Sequence, residues 1–134
     1  MNKGRIVQIS GSVVDVEFER GHLPRLKEAL NVTVNDELRV MEVAQHIGRN
    51  TVRCIMLAES ERLARDMAVT ASGKTIEVPV GINTLGRMFN VHGEAIDGGA
   101  AVPEDADRWS IHRKAPSFAE QRPGSEVLET GIKV

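Results

Sequence analysis

A chain of 134 residues is long enough for one domain, or for one small domain with part of another. Lys and Arg number 17 and Asp and Glu number 19, and the resulting net charge of −2 provides no strong positive field, which disfavours nucleic acid as the main partner. No apolar run approaches the roughly 18 residues of a membrane span, and the single cysteine, Cys54, allows no internal disulfide and favours a reducing compartment.

Apolar and polar residues alternate with period two through most of residues 3–80, a pattern typical of an all-β barrel or sandwich. Between Val14 and Phe18, apolar residues alternate with acidic ones, which predicts a strand with one buried face. Gly, Asn, Asp and Ser interrupt the alternation at short intervals. Six strands are predicted, near Arg5–Ile9, Val14–Phe18, Leu38–Val43, Val52–Leu57, Met67–Thr70 and Thr75–Val80.

The segments between these strands are predicted from their turn residues. Pro24 stands where a first helical turn accepts proline, so Pro24–Leu30 is expected to form a helix-like turn. Ala71–Lys74 is expected to form the hairpin turn between the last two strands. Val52–Leu57 is apolar on both faces and is expected to lie centrally. Because an open sheet of this size leaves two edges exposed, the strands are predicted to close into a six-stranded barrel.

The sequence changes character after Pro79, where glycines and prolines become frequent and the periodic signal weakens. Met88–Ile96 is expected to form one strand or a hairpin. Ser117 and Glu120 have the spacing of a capping box, which predicts a single helical turn. No long apolar periodicity follows them, so a solvated turn explains the same spacing equally well.

Gly73-Lys74-Thr75 is the closest local match to a chemical motif, because it ends like a phosphate-binding loop. That loop also needs a glycine five positions before its second one, where Ala68 stands, and a helix that begins at the lysine. Thr75–Pro79 instead alternates as a strand and ends at a proline. A hairpin turn is therefore predicted here in place of a phosphate site.

No other group of residues forms a complete catalytic or metal-binding set. Widely spaced histidines predict exposed or locally hydrogen-bonded side chains in place of metal ligands, and the chain has four: His22, His46, His92 and His112. Acidic pairs in polar stretches are typical of a solvated face, as at Glu59 with Glu61 and Glu104 with Asp105. A short basic group could bind an anion, although acidic residues flank it: Arg108, His112, Arg113 and Lys114. No catalytic, cofactor-binding or metal-binding residue is predicted in this chain.

Blocks of sequence spread over nearly the whole chain match one protein family in register. They are Gly4–Gln8, Val13–Phe18, Glu42–Gly48, Asn50–Arg53, Val78–Gly81, Thr84–Val91, Arg108–Trp109, Ile111–Arg113, Ala115–Phe118 and Leu128–Val134. Together they resemble the catalytic β subunits of F-type ATP synthases. Glu129 and the Ile111–Arg113 block favour this catalytic β subunit over its non-catalytic α relative.

The resemblance implies a six-stranded N-terminal barrel at residues 1–80 and, at 81–134, the opening segment of an α/β, RecA-like nucleotide-binding domain. In that family the barrels of three α and three β subunits join into a ring, and the nucleotide domains act on a central shaft subunit. The family's phosphate-binding loop, catalytic glutamate and Mg²⁺-organising aspartate lie beyond the block seen here at Gly131–Val134. The resemblance thus implies a truncated chain that is inactive alone and holds no cofactor, while the full-length protein uses Mg-ATP and Mg-ADP.

The resemblance also implies a peripheral location, without membrane insertion, on the cytoplasmic face of a bacterial inner membrane, since no transit segment precedes Gly4. Four positions depart from the family pattern and indicate a divergent member. Arg62 and Asp66 stand where the family usually has glycine, and Ser12 and Ala95 stand where it often has proline.

Two other interpretations stay open. A barrel of the oligonucleotide-binding type needs a basic, aromatic-bearing face, whereas this chain has three Phe, one Trp and no Tyr. A related hexameric motor, such as an export-apparatus or archaeal-type ATPase, would share the barrel and the nucleotide domain. The Arg108–Phe118 block favours the F-type over this second alternative.

Overall fold

The computed structural model describes residues 2–121 and 124, and it is almost entirely β-structure. Its strands are β1 (Lys3–Ser10), β2 (Val13–Phe18), β3 (Glu28–Val34), β4 (Glu37–His46), β5 (Thr51–Met56), β6 (Ala68–Thr75), β7 (Glu77–Pro79) and β8 (Arg108–Ser110). Single 3₁₀ turns lie at Ile82–Thr84 and Phe118–Glu120. Across these residues no helix has the length and apolar character that crossing a bilayer requires.

Six strands close into an antiparallel barrel in the order β1-β2-β5-β4-β3-β6, and β6 pairs back onto β1. The predicted all-β class and closed six-stranded barrel are confirmed. Alternate residues of every strand fill the interior, and none of the following is more than 1% exposed: Ile6, Val14, Val16, Leu30, Val32, Val34, Met41, Val43, Val52, Cys54 and Val69. Burial raises the pKa of the Cys54 thiol to about 12, so this cysteine serves as an unreactive core residue.

Strand β3 is the barrel strand that the sequence pattern does not predict. It begins within Pro24–Leu30, the segment predicted to form a helix-like turn. Pro24 lies outside any helix or strand, and the chain turns at Lys27, whose φ is 67°, before β3 begins. The prediction for Pro24–Leu30 is therefore wrong. Leu30 and the two valines that follow it at period two all point into the core, and this tertiary burial outweighs the local preference of proline for a first helical turn.

Strand β6 continues through Ala71–Lys74, the segment predicted to form a hairpin turn. The register between β3 and β6 shifts part-way along the pair, so β6 carries a bulge. Gly73, with a φ of 79°, lies in this bulge, and the Ser72 hydroxyl closes it by donating to the Lys74 carbonyl and accepting from the Lys74 N–H. The predicted turn at Ala71–Lys74 and the predicted barrel strand at Thr75–Val80 are wrong, because the chain leaves the barrel after the bulge and β7 pairs with β8.

Strand β5 confirms the strand predicted at Val52–Leu57, but not its burial on both faces. Cys54 is fully buried, whereas Ile55 is 45% exposed and Leu57 is 38% exposed. A closed barrel has a single inner face, so alternate residues point outward whatever their polarity. Two apolar side chains are thereby placed on the outer surface.

Residues 81–121 contain a hairpin and a capped turn. Phe89 pairs with Ala95, which confirms the hairpin predicted at Met88–Ile96. The Glu120 carboxylate accepts hydrogen bonds from the backbone N–H and the hydroxyl of Ser117, both at 2.8 Å, which confirms the capping box. The domain boundary at residue 80 stays a prediction, and the apolar end at 131–134 lies outside the described residues.

The loop between β5 and β6 contains two residues in the left-handed conformation. Arg62 has a φ of 65° and Asp66 has a φ of 68°. These are the two positions at which the family that the sequence resembles usually has glycine. The left-handed conformation costs about 1–2 kcal/mol for most side chains, and Asp tolerates it better than Arg.

We expect Arg62→Gly to raise the free energy of unfolding by about 0.5–1 kcal/mol, because relief of left-handed strain exceeds the entropy that glycine adds to the unfolded state. Arg65→Gly is the matched control, since Arg65 lies in the same loop without a positive φ and glycine only destabilises it there. Urea unfolding of the 134-residue chain measures both changes. An Arg62→Gly variant less stable than the parent chain would contradict the expectation.

Candidate interaction surface

The outer surface of the barrel has a charged half, formed by β1, β2 and the start of β5, where ion pairs join neighbouring strands. Arg5 Nη2 lies 2.8 Å from Glu17 Oε2. Arg53 makes a two-pronged pair with the buried Asp15, at 2.8 and 2.9 Å. Hydrogen bonds from Arg5 and Asn50 lower the pKa of Glu17, and the hydrogen bond to Asp15 raises the pKa of Arg53. These four charges are thus already neutralised within the barrel.

The opposite half, formed by β4, β3, β6 and the end of β5, presents uncharged side chains in its middle, whereas the charged side chains of Glu37, Glu42 and Lys74 lie around them. One row crosses β6, β3 and β4 and ends at Leu57, directly after β5: Thr70 pairs with Asn31, Asn31 pairs with Val40, and the Leu57 N–H donates to the Val40 carbonyl. In the next row Thr33 pairs with Leu38, which is 57% exposed. We call this surface the uncharged face, defined by Asn31, Thr33, Leu38, Val40, Leu57 and Thr70.

Residues 108–112 form a strap that fastens the chain after β7 to one end of the barrel. The hydroxyls of Ser110 and Thr75 are 2.6 Å apart, and the Ile111 N–H donates to a backbone carbonyl just after β6. His112 Nε2 lies 2.6 Å from Glu42 Oε2, and both side chains are mostly buried. The strap therefore contacts the middle of β4 at Glu42 and leaves Leu38, near the start of the same strand, open to solvent.

The motif candidates from the sequence occupy structural positions. Gly73-Lys74-Thr75 lies within β6, where the Lys74 ammonium pairs with Glu77 at 2.6 Å and the chain continues as a strand at the point where a phosphate-binding loop begins a helix. The basic group is divided: His112 contacts Glu42, and Arg113 lies over the ring of Trp109 at 3.6 Å from its centre. This stacking engages the guanidinium locally.

The histidines do not converge. His46 Nε2 lies 2.8 Å from the Pro24 carbonyl oxygen and donates to it, whereas His112 contacts Glu42 on another part of the barrel. In the described part of the chain, no three His, Cys, Asp or Glu side chains are grouped to hold a metal ion. The prediction that this chain carries no catalytic or cofactor-binding residue stays a prediction.

Glu28 is a buried carboxylate that no motif in the sequence marks. One oxygen accepts the Arg25 N–H at 2.9 Å, and the other accepts the Gly73 N–H at 3.0 Å. Glu28 thereby joins the turn that precedes β3 to the bulge of β6 and fixes the end of the barrel beside the strap. No periodic pattern marks such a residue, because its partner in β6 is 45 positions away.

Arg87 and Asp97 close the hairpin after the barrel. Arg87 Nη2 donates to Asp97 Oδ1 at 2.9 Å and also to the Ala100 carbonyl at 2.7 Å. Arg87 and the backbone N–H of Gly99 hold the pKa of Asp97 far below its usual range. Because the pKa is lower in the folded state, this stabilisation is present above the unfolded pKa of about 4 and is lost as the pH falls through the lowered value.

A protein-family model matches residues 6–73, which extend from β1 into β6 and make up about half of the chain. Its description is ATP synthase alpha/beta family, beta-barrel domain. The chain belongs to the ATP synthase alpha/beta family. This family comprises subunits of ATP synthases and related ATPases, which assemble as hexamers with related subunits. Membership favours a subunit of an ATP synthase or related ATPase over the oligonucleotide-binding interpretation.

Proposed function

We propose that this chain is the N-terminal part of the catalytic β subunit of an F-type ATP synthase, and that its barrel joins the barrels of neighbouring α subunits in a ring of three α and three β. The observation that carries the proposal is the closed barrel matched by the family at residues 6–73. The likeness of Ile111–Arg113 and Leu128–Val134 to β subunits supports the choice of β over α.

The physical role of the barrel in this proposal is constraint. Every barrel strand is hydrogen-bonded on both sides and the interior is filled, so the domain deforms little under load. A ring of such barrels would hold six subunits together while the nucleotide domains open and close around the central shaft. The strap adds a second attachment between the barrel and the chain that leads toward the nucleotide domain.

The proposed chemistry belongs to the full-length protein. It would synthesise or hydrolyse ATP with Mg²⁺, coupled to ion translocation, as a peripheral part of a complex on the cytoplasmic face of a bacterial inner membrane. In this proposal the segment described here contributes to the assembly of the subunits.

Co-expression of the full-length protein with α subunits and the shaft subunit tests this function. We expect native mass spectrometry to detect a complex with three copies of each large subunit, and we expect this complex to hydrolyse ATP. The full-length protein expressed alone should form no active hexamer. An active homohexamer would contradict the proposal and favour the export-type motor, in which one kind of subunit forms the ring.

A further inference from the structure

We infer that the uncharged face is the side of the barrel against which the barrel of a related subunit packs. This inference rests on the proposed function and specifies which surface carries it. The face contains a lateral row that crosses β6, β3 and β4 from Thr70 to Val40 and ends at Leu57, so a partner could cover this row without enclosing a charged side chain. Protein interfaces are depleted of charge at their centres in the same way.

Two leucine side chains of the uncharged face are exposed to solvent, and the barrel fold does not require an apolar residue at either position. Leu38 is 57% exposed and Leu57 is 38% exposed, although neither contributes to the barrel interior. Covering them removes apolar surface from water, which favours association. Charged residues lie at the margins, with Glu42 at one end and Glu37 at the other. A central apolar area with a polar rim is the usual composition of an interface.

The charged half of the barrel is a poorer contact surface. A partner that covered it would remove the Arg5–Glu17 and Asp15–Arg53 pairs from water, and that desolvation cost is repaid only by further well-placed polar groups. The uncharged face carries no such cost. In a ring each barrel has two neighbours, and the difference between the two halves assigns one of these contacts to the side formed by β4, β3 and β6.

The size of the face decides between a second copy of this chain and a neighbour within a hexamer. Six residues define the face, whereas each partner in a stable two-protein interface contributes about 20–30 residues. Two free copies would therefore not stay together through this face alone. In a hexamer, other contacts hold a related barrel beside the face. The effective concentration of that barrel is therefore high, and a small contact is enough to keep the two surfaces together.

The test uses the full-length protein assembled with α subunits and the shaft subunit. We expect Leu38→Glu to lower the yield of the hexamer about tenfold or more when the subunits are limiting, because a carboxylate would be buried at the contact. Gln8→Glu places the same charge on the exposed part of β1, on the opposite half, and should change the yield less than about twofold. Leu38→Met keeps an apolar side chain and should assemble like the parent protein.

The outcomes separate the inference from the proposed function. Thermal unfolding of each variant subunit before mixing shows that it is folded, as expected for an outward-facing position. If the parent subunits do not assemble, the proposed function fails. If they assemble and Leu38→Glu assembles equally well, the uncharged face is not the contact. A stable dimer of the parent subunit alone that Leu38→Glu dissociates would overturn the choice of partner.

Discussion

Leu30→Ala is expected to lower the free energy of unfolding by about 2–5 kcal/mol, the usual cost of removing a fully buried leucine and leaving a cavity. Leu30 lies in the middle of the core on β3 and is 0% exposed. The loss is a large part of the roughly 5–15 kcal/mol by which small domains are stable. Urea unfolding of the 134-residue chain, followed by far-ultraviolet circular dichroism, measures it.

Leu26→Ala is the control for this substitution. Leu26 precedes β3 and is 55% exposed, so its truncation should change the stability by less than about 0.5 kcal/mol. If the two variants lost stability equally, or if Leu30→Ala cost less than about 1 kcal/mol, then β3 would not contribute its inner face to the core as described.

Glu28→Ala is expected to cost about 1–3 kcal/mol, because the backbone N–H groups of two residues lose the carboxylate that accepts their hydrogen bonds. Its oxygens accept the N–H groups of Arg25 and Gly73. Hydrogen exchange provides the more specific measurement: the Gly73 amide should exchange faster in the variant, whereas amides of β2 and β5 should change only in proportion to global stability.

Two variants make this test specific. Glu28→Gln keeps one carbonyl oxygen, so it retains one of the two backbone hydrogen bonds and should lose less stability than Glu28→Ala. Glu37→Ala removes a carboxylate that is 70% exposed and should cost less than about 0.5 kcal/mol. Equal losses for Glu28→Ala and Glu37→Ala would mean that the bulge does not depend on the carboxylate.

Much of the barrel could be predicted from alternation alone. The patterns near β1, β2, β4 and β5 place these strands correctly, although β4 is longer than predicted at both ends. The strand predicted at Met67–Thr70 matches the first half of β6. The prediction failed at β3 and at the second half of β6, where local signals compete with long-range ones. Pro24 favoured a helix start and Gly73 favoured a turn, but burial of the Leu30 row and the acceptor supplied by Glu28 decided the outcome.

The uncharged face could not be predicted, because it depends on strand order. Asn31 lies between Val40 and Thr70 only because β3 is inserted between β4 and β6, and these strands are separated in the chain by β5. Alternation shows which residues point outward but not which of them become neighbours. The strap could not be predicted from a local sequence pattern either, because His112 and Glu42 are 70 residues apart.

Closure of the barrel leaves no free strand edge, so a neighbour cannot extend the sheet through main-chain hydrogen bonds along its sides. Any partner that binds to the sides of the barrel must therefore recognise side chains. A point substitution can change an outward-facing side chain and leave the backbone in place. Copies of such a subunit can therefore diverge in which neighbour they accept while keeping the same interior.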